Sequence, residues 1–114
     1  MSTKPEFVEE AYIILAQLGG RRFLVMTGAD KLMAAGRAAN NPNPWLRMDL
    51  HRNQARVNRL KITLMPTDTY KVEFYHQKLV DWEPIITNQQ TFEMVYGEDL
   101  SALFTSVTGY DTHL

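Results

Sequence analysis

The residues in this chain best suited to binding combine positive charge with aromatic rings. They fall at alternate positions in runs whose intervening residues are mostly apolar, so they are predicted to share one face of a β-sheet. Cations attract phosphate groups, and exposed rings offer surfaces on which unpaired bases stack. The predicted nucleic-acid-binding residues, with single-stranded nucleic acid as ligand, are Trp45, Arg47, His51, Arg59, Lys61, Lys71 and Tyr75.

The same face has a simpler interpretation as a solvated antiparallel sheet. Cross-strand pairs such as Lys61 opposite Glu73, or Lys71 near Asp49, would each contribute only about 0.2–1 kcal/mol. The net charge of −1 is unevenly distributed, since residues 45–78 hold seven Lys/Arg and three Asp/Glu, whereas residues 79–114 hold six acids and no Lys or Arg. The basic part either meets a polyanion or is neutralised by the acidic part.

Two further candidates lie outside this face. Trp82 is a large ring between acids in the segment 81–84, where no predicted element requires it, so it is predicted to anchor a protein partner. Thr27 ends a predicted strand and Gly28 follows it, and the amides of such a turn can surround an anion or a nucleotide-like small molecule. The simpler interpretations are a ring that covers the sheet edge and an ordinary turn at a strand end.

Motifs for catalysis or for metal and cofactor binding are not recognised in this sequence. There is no cysteine, so disulfides and cysteine-based zinc sites are ruled out. His51, His76 and His113 are too widely spaced for a zinc motif, and no serine occurs in a nucleophile elbow. The pattern predicts no metal and no cofactor, and it disfavours an enzyme.

The hydrophobic pattern predicts two helices. Apolar residues recur every three or four positions over residues 5–18, where Gly19 and Gly20 should end the helix, and again over residues 98–107, before Gly109. No apolar run reaches the roughly 18 residues that span a bilayer, so we expect no membrane partner.

Strands are predicted at residues 22–27 and 45–51, and in a hairpin around residues 65–69. Residues 31–39 are expected to form a short helix or an irregular connection, and residues 77–91 an exposed connection with a short edge strand at most, because Pro84 interrupts it. The apolar face of the hairpin is predicted to carry Leu60, Ile62, Leu64, Val72 and Phe74.

The order helix, four strands, helix predicts an α+β two-layer sandwich. We expect a four-stranded, mainly antiparallel sheet with the N- and C-terminal helices on one face, in a single domain over residues 1–114. A sheet with one uncovered edge also allows a homo-oligomer.

Three motifs run along the chain in order: LGG..F..MTGA, V..LKITL.P.DTY.VEF and EDL...F...TG. With them the chain resembles a group of small tailed-phage and prophage proteins, over most of its length. The resemblance implies a phage-encoded accessory protein that acts in the bacterial cytoplasm. It implies no catalytic residue, because no activity is attached to the group. A product of this kind would bind a host or phage protein, and interference with a host defence or replication complex would fit it.

Overall fold

The computed structural model describes residues 9–36 and 43–110, which contain three α-helices and five strands. The helices are α1 (Glu9–Leu18), α2 (Gly20–Thr27) and α3 (Leu100–Thr108), and α3 follows a short 3₁₀ helix at Gly97–Asp99. The strands are β1 (Asp30–Ala35), β2 (Trp45–Asp49), β3 (Arg59–Leu64), β4 (Tyr70–Val80) and β5 (Glu83–Val95). The predicted start of the first helix, at residues 5–8, and residues 37–39 lie outside the described residues.

The strands form one sheet in the order β1-β2-β3-β4-β5, and every neighbouring pair is antiparallel. The predicted α+β class with an antiparallel sheet and helices is therefore confirmed. The prediction of four strands is wrong, because the sheet has five.

The core joins alternate sheet positions to the helices. The even-numbered side chains of β2, of β3 and of the first part of β4, up to Phe74, lie in one cluster with side chains of all three helices. This alternation confirms the predicted apolar face of the hairpin, with Leu64 only partly buried. The buried residues of that cluster in the three central strands are Leu46, Met48, Leu60, Ile62, Tyr70, Val72 and Phe74.

Tyr70 connects the start of β4 to α1. Its hydroxyl donates a hydrogen bond of 2.8 Å to Oε1 of Gln17. Burial, with a smaller effect of the Asp68 carboxylate, raises the pKa of Tyr70 above its ordinary value. The phenol is thereby held in the protonated form that donates to Gln17.

The strand predicted at residues 22–27 is wrong, because this segment is helix α2. Alternation of Phe23, Val25 and Thr27 resembles a strand, yet Val25 is 74% exposed while Phe23 and Thr27, four residues apart, are buried. The hydroxyl of Thr27 donates to the carbonyl of Phe23 at 2.7 Å, a bond between successive helical turns. Burial of one helical face against the core decided the structure here.

The alanine-rich segment after Asp30 is a strand, so the expected helix or irregular connection is wrong over residues 31–35. β1 pairs with β2, with Met33 opposite Arg47 and Ala35 opposite Trp45. A register shift between Asp30 and Met33 accompanies a left-handed Lys31 at φ 53°. Pairing with a neighbouring strand outweighs the modest helix preference of alanine.

The segment 77–91 is also strand over most of its length, so the expected connection is wrong. β4 continues to Val80, and β5 begins at Glu83 after a two-residue turn. Pro84 is tolerated because β5 is an edge strand and needs no donor on its outer side. The last paired residues before the turn are Val80 and Glu83.

Candidate functional site

The strand register brings most of the predicted nucleic-acid-binding residues onto one side of the sheet. We call this side the outer face: the odd-numbered residues of β2, of β3 and of β4 up to Tyr75, opposite the buried cluster. Arg47 lies beside Lys61, which lies opposite Glu73, as the sequence predicted for that pair. Trp45 and Lys71 flank Thr63 in the next row.

Several cations of the outer face already have partners within the sheet. Nε of Arg59 lies 3.2 Å from a carboxylate oxygen of Asp49, and Nζ of Lys61 lies 5.0 Å from the centre of the Trp45 ring. Lys71 lies opposite Thr63 rather than near Asp49. Half-buried pairs of this kind reduce the charge that is free to attract phosphate.

Two residues of the predicted set differ from the others. Tyr75 is only 8% exposed, so its ring has little surface for a stacked base. His51 lies beyond β2 in the connection to β3, where its ring faces Gly28. The structure therefore brings together five members of the set in accessible positions: Trp45, Arg47, Arg59, Lys61 and Lys71.

The end of β4 and the first part of β5 form a projecting hairpin, which we call the arm, residues 78–91. Every residue of the arm is exposed, so no other described element covers either of its faces. Leu79, Val80, Ile85 and Ile86 are large apolar residues that it leaves in solvent. Trp82, at the tip, is 90% exposed. Exposed apolar residues concentrated on one element are typical of interaction surfaces.

The turn at the tip places Trp82 in an unfavourable backbone conformation. Asp81 and Trp82 have φ of 53° and 69°, as the two central residues of a type I′ turn require. Such turns favour Asn or Asp followed by Gly, and a bulky residue with positive φ is strained. The ring gains no intramolecular packing in return, because it does not fold back over the sheet edge.

A second feature is a cavity of about 260 Å³ beside the connection between β2 and β3. We call this connection, residues 50–58, the basic loop. Four side chains that line the cavity are basic or imidazole groups: His51, Arg52, Arg56 and His76. The sequence pattern did not predict this cluster. The available signal was the recurrence of His51, Arg52 and Arg56 within six residues.

The side chain of Asn53 organises the basic loop. Its Nδ2 donates to the carbonyls of His51 at 2.8 Å and Val57 at 2.7 Å. Its Oδ1 accepts from the amides of Ala55 at 3.1 Å and Val57 at 3.3 Å. One amide side chain thus closes the loop on itself from both ends, a role for which asparagine is suited.

Other contacts tie the basic loop to distant parts of the chain. The amide of Gln54 donates to the carbonyl of Thr108 in α3, and the hydroxyl of Tyr110 donates to the carbonyl of Arg52. The side chain of Asn88, in β5, donates to the carbonyl of Arg56 at 3.2 Å. The loop is therefore held by α3, by the segment after α3 and by β5.

The turn at Thr27 and Gly28 lies at the C-terminal end of α2, not after a strand. The Gly28 amide donates to the carbonyl of Leu24, and the Ala29 amide donates to the hydroxyl of Thr27. Both amides that would bind the predicted anion already have acceptors, and a helix C-terminus carries a partial negative charge.

The ring of His51 lies close to Gly28, and replacing Gly28 with alanine should destabilise the fold. Its φ is 72°, and an added Cβ would lie 2.6 Å from Cδ2 of His51. We expect Gly28→Ala to lower the free energy of unfolding by about 1–3 kcal/mol, from left-handed strain plus this clash. Urea denaturation followed by circular dichroism would measure the loss.

The matched control is Gly20→Ala, at φ 62° with nothing within 4 Å of the added Cβ. This substitution should lower the free energy of unfolding by about 1 kcal/mol, from the left-handed strain alone. Equal losses for the two variants would mean that His51 does not pack on Gly28.

None of the helices in the described ranges is long and apolar enough to cross a membrane. Within those same ranges, no cluster of three or more His, Cys, Asp or Glu side chains could hold a metal ion.

No protein-family model, curated protein or solved structure matches this chain. The resemblance to tailed-phage proteins stays a prediction.

Proposed function

We propose that this protein is a non-enzymatic binding protein whose arm inserts Trp82 into a partner protein. The observation that carries the proposal is the combination, in one residue, of 90% exposure and a positive φ of 69°. The turn between β4 and β5 requires the positive φ, but it does not require a bulky side chain at this position. Backbone strain at an exposed bulky residue is typical of residues retained for binding, and tryptophan is the residue type most enriched at the energetic centres of interfaces.

The chemistry of the arm indicates what kind of surface the partner presents. Asp81 and Glu83 flank the ring, and residues 79–114 contain no Lys or Arg. Apolar side chains extend from the tip along both strands. The complementary surface is an apolar pocket for an indole ring, bordered by lysine or arginine.

The origin and purpose of the protein are proposed on the resemblance alone. A phage-encoded accessory protein would act in the bacterial cytoplasm, and its partner would be a host or phage protein. Interference with a host defence or replication complex is the role that fits a small product of this kind.

A single-stranded nucleic-acid-binding module is the second candidate, supported by the alignment of Arg47 and Lys61 on the outer face. This function requires the two-layer arrangement, in which the helices cover one face of the sheet and leave the other open. The proposal ranks below the arm because Arg59 pairs with Asp49, Lys61 lies opposite Glu73, and Tyr75 is buried.

Replacing Trp82 with glycine should abolish partner binding without harming the fold. Asp-Gly is a preferred type I′ pair, so we expect the free energy of unfolding to stay unchanged or to rise by up to ~1 kcal/mol. A partner recovered on the immobilised wild-type chain from bacterial lysate should be lost with Trp82→Gly. Once purified, it should bind the variant at least ~30-fold more weakly by calorimetry, as expected for the central residue of an interface.

The matched control is Val25→Ala, which removes another exposed apolar side chain, on α2. It should leave partner recovery unchanged. Equal recovery with Trp82→Gly, or a loss of stability on that substitution, would contradict the proposal. Salt-sensitive binding of single-stranded DNA or RNA that Lys61→Glu removes would favour the outer face instead.

A further inference from the structure

The cavity at the basic loop is chemically unlike the arm. Arg52 and Arg56 keep their positive charge under all physiological conditions, and His51 and His76 add ring N–H donors. No carboxylate among the described residues lines the cavity. Among the described residues, the one ion pair joins Arg59 to Asp49. Neither Arg52 nor Arg56 therefore has a carboxylate partner in this part of the chain.

The basic loop is also held in position without any ligand. Asn53 makes four hydrogen bonds within it. Asn58 fixes its far end, because Nδ2 donates to the carbonyl of Gln77 at 3.0 Å and Oδ1 accepts from the Gln77 amide at 2.8 Å. A binding site whose backbone is already ordered loses little conformational entropy when a ligand binds.

The lining of the cavity includes both apolar and basic residues. Leu50 and Val57 contribute apolar surface, whereas the guanidinium groups supply donors in the planar arrangement that matches phosphate oxygens. The volume of about 260 Å³ lies below the roughly 300–1,000 Å³ of pockets that enclose drug-sized ligands. A cavity of this size and lining fits a small anionic molecule better than a drug-sized one.

We propose that the cavity formed by the basic loop and His76 is a binding site for a small phosphomonoester, such as a mononucleotide. Arg52 and Arg56 bind the phosphate oxygens, the imidazoles of His51 and His76 donate hydrogen bonds, and Leu50 and Val57 contact the body of the ligand. This site is separate from the predicted anion site at Thr27 and Gly28. The two places are neighbours, because the ring of His51 lies next to Gly28.

Calorimetric titration with three probes tests the proposal: inorganic phosphate, adenosine 5′-monophosphate and adenosine. The monophosphate should bind saturably, phosphate more weakly, and adenosine not at all. Added salt should weaken binding, because the attraction is electrostatic. The variant Arg52→Gln/Arg56→Gln should lower the affinity for the monophosphate at least ~10-fold, since charge-assisted hydrogen bonds are the strong ones.

The control variant Arg21→Gln/Arg22→Gln removes two exposed arginines of α2 that do not line the cavity, and should bind as the wild type does. Trp82→Gly should also bind the monophosphate normally, so that this site and the arm are tested independently. If the double variant of the loop unfolds more easily, Arg52→Gln alone should still weaken binding at least ~3-fold, because one of the two charged donors is lost.

Three results would overturn the proposal. The first is no saturable binding of phosphate or the monophosphate up to roughly 10 mM. The second is binding that is unaffected by loss of both arginines. The third is much tighter binding of a single-stranded oligonucleotide, with a salt dependence that indicates several phosphates, because the ligand would then be a nucleic acid.

Discussion

Replacing Phe104 with alanine should lower the free energy of unfolding by about 3–5 kcal/mol, the largest loss we expect from any single change discussed for this chain. Phe104 is 1% exposed, and its ring centre lies 4.8 Å from that of Phe23 in an edge-to-face contact. It also lies 6.3 Å from the ring centre of Phe74. One side chain of α3 thus joins α2 to β4, and its removal leaves a cavity among three elements that cannot all move inward.

The measurement is urea denaturation followed by circular dichroism. Phe92→Ala is the matched control, because its ring also meets Phe74, at 6.2 Å, yet Phe92 is only partly buried on the edge strand β5. Phe92→Ala should lower the free energy of unfolding by about half as much or less. A partly exposed ring removes less apolar surface from water when the chain folds. Comparable losses for the two variants would show that Phe104 is not at the centre of the core.

Replacing Asn53 with alanine should have the second largest effect, a loss of about 2–4 kcal/mol in the free energy of unfolding. The substitution removes four hydrogen bonds at once and leaves the amides of Ala55 and Val57 without their acceptor. Because the loop also carries Arg52 and Arg56, we expect binding of adenosine 5′-monophosphate to weaken in the same variant.

Asn53→Asp separates the contribution of the Nδ2 donor from that of the Oδ1 acceptor. It keeps an oxygen that accepts from the Ala55 and Val57 amides, but it loses the Nδ2 donor to the carbonyls of His51 and Val57. We expect an intermediate loss of stability in the same denaturation experiment. A neutral result for Asn53→Ala would mean that water replaces the side chain in the loop, which would then need no internal support.

The two binding proposals are independent because they use different parts of the chain. The arm is apolar with an acidic tip, whereas the cavity is basic. Among the described side chains of the arm, Asn88 is the one that donates a hydrogen bond to the basic loop, and the acceptor is the Arg56 carbonyl. Loss of one activity with retention of the other would show that the structure carries two separate sites. Coupled loss would indicate that binding at the cavity and at the arm are linked through this contact.

The sequence by itself determined the central strands and two of the helices. Alternation in residues 45–49, 59–64 and 70–75 predicted β2, β3, the first part of β4 and the buried side of each, because side chains of a strand point to opposite faces in turn. Three- and four-residue spacing before Gly19 and Gly109 predicted α1 and α3, which end where those glycines follow. These patterns are local, and they needed no knowledge of the rest of the chain.

Only the tertiary structure decided the remaining elements and both candidate sites. Phe23, Val25 and Thr27 fit a strand as well as a helix, and burial of Phe23 against Phe104 selected α2. β1 and β5 are edge strands whose weak patterns became strands by pairing with β2 and β4. The exposure of Trp82 depends on how far β4 and β5 extend beyond the helices. The basic cavity depends on long-range contacts, such as those of Asn58 with Gln77, that bring the loop beside His76. Interactions between residues distant in the chain leave no periodic trace in it, so they could not be predicted from local pattern.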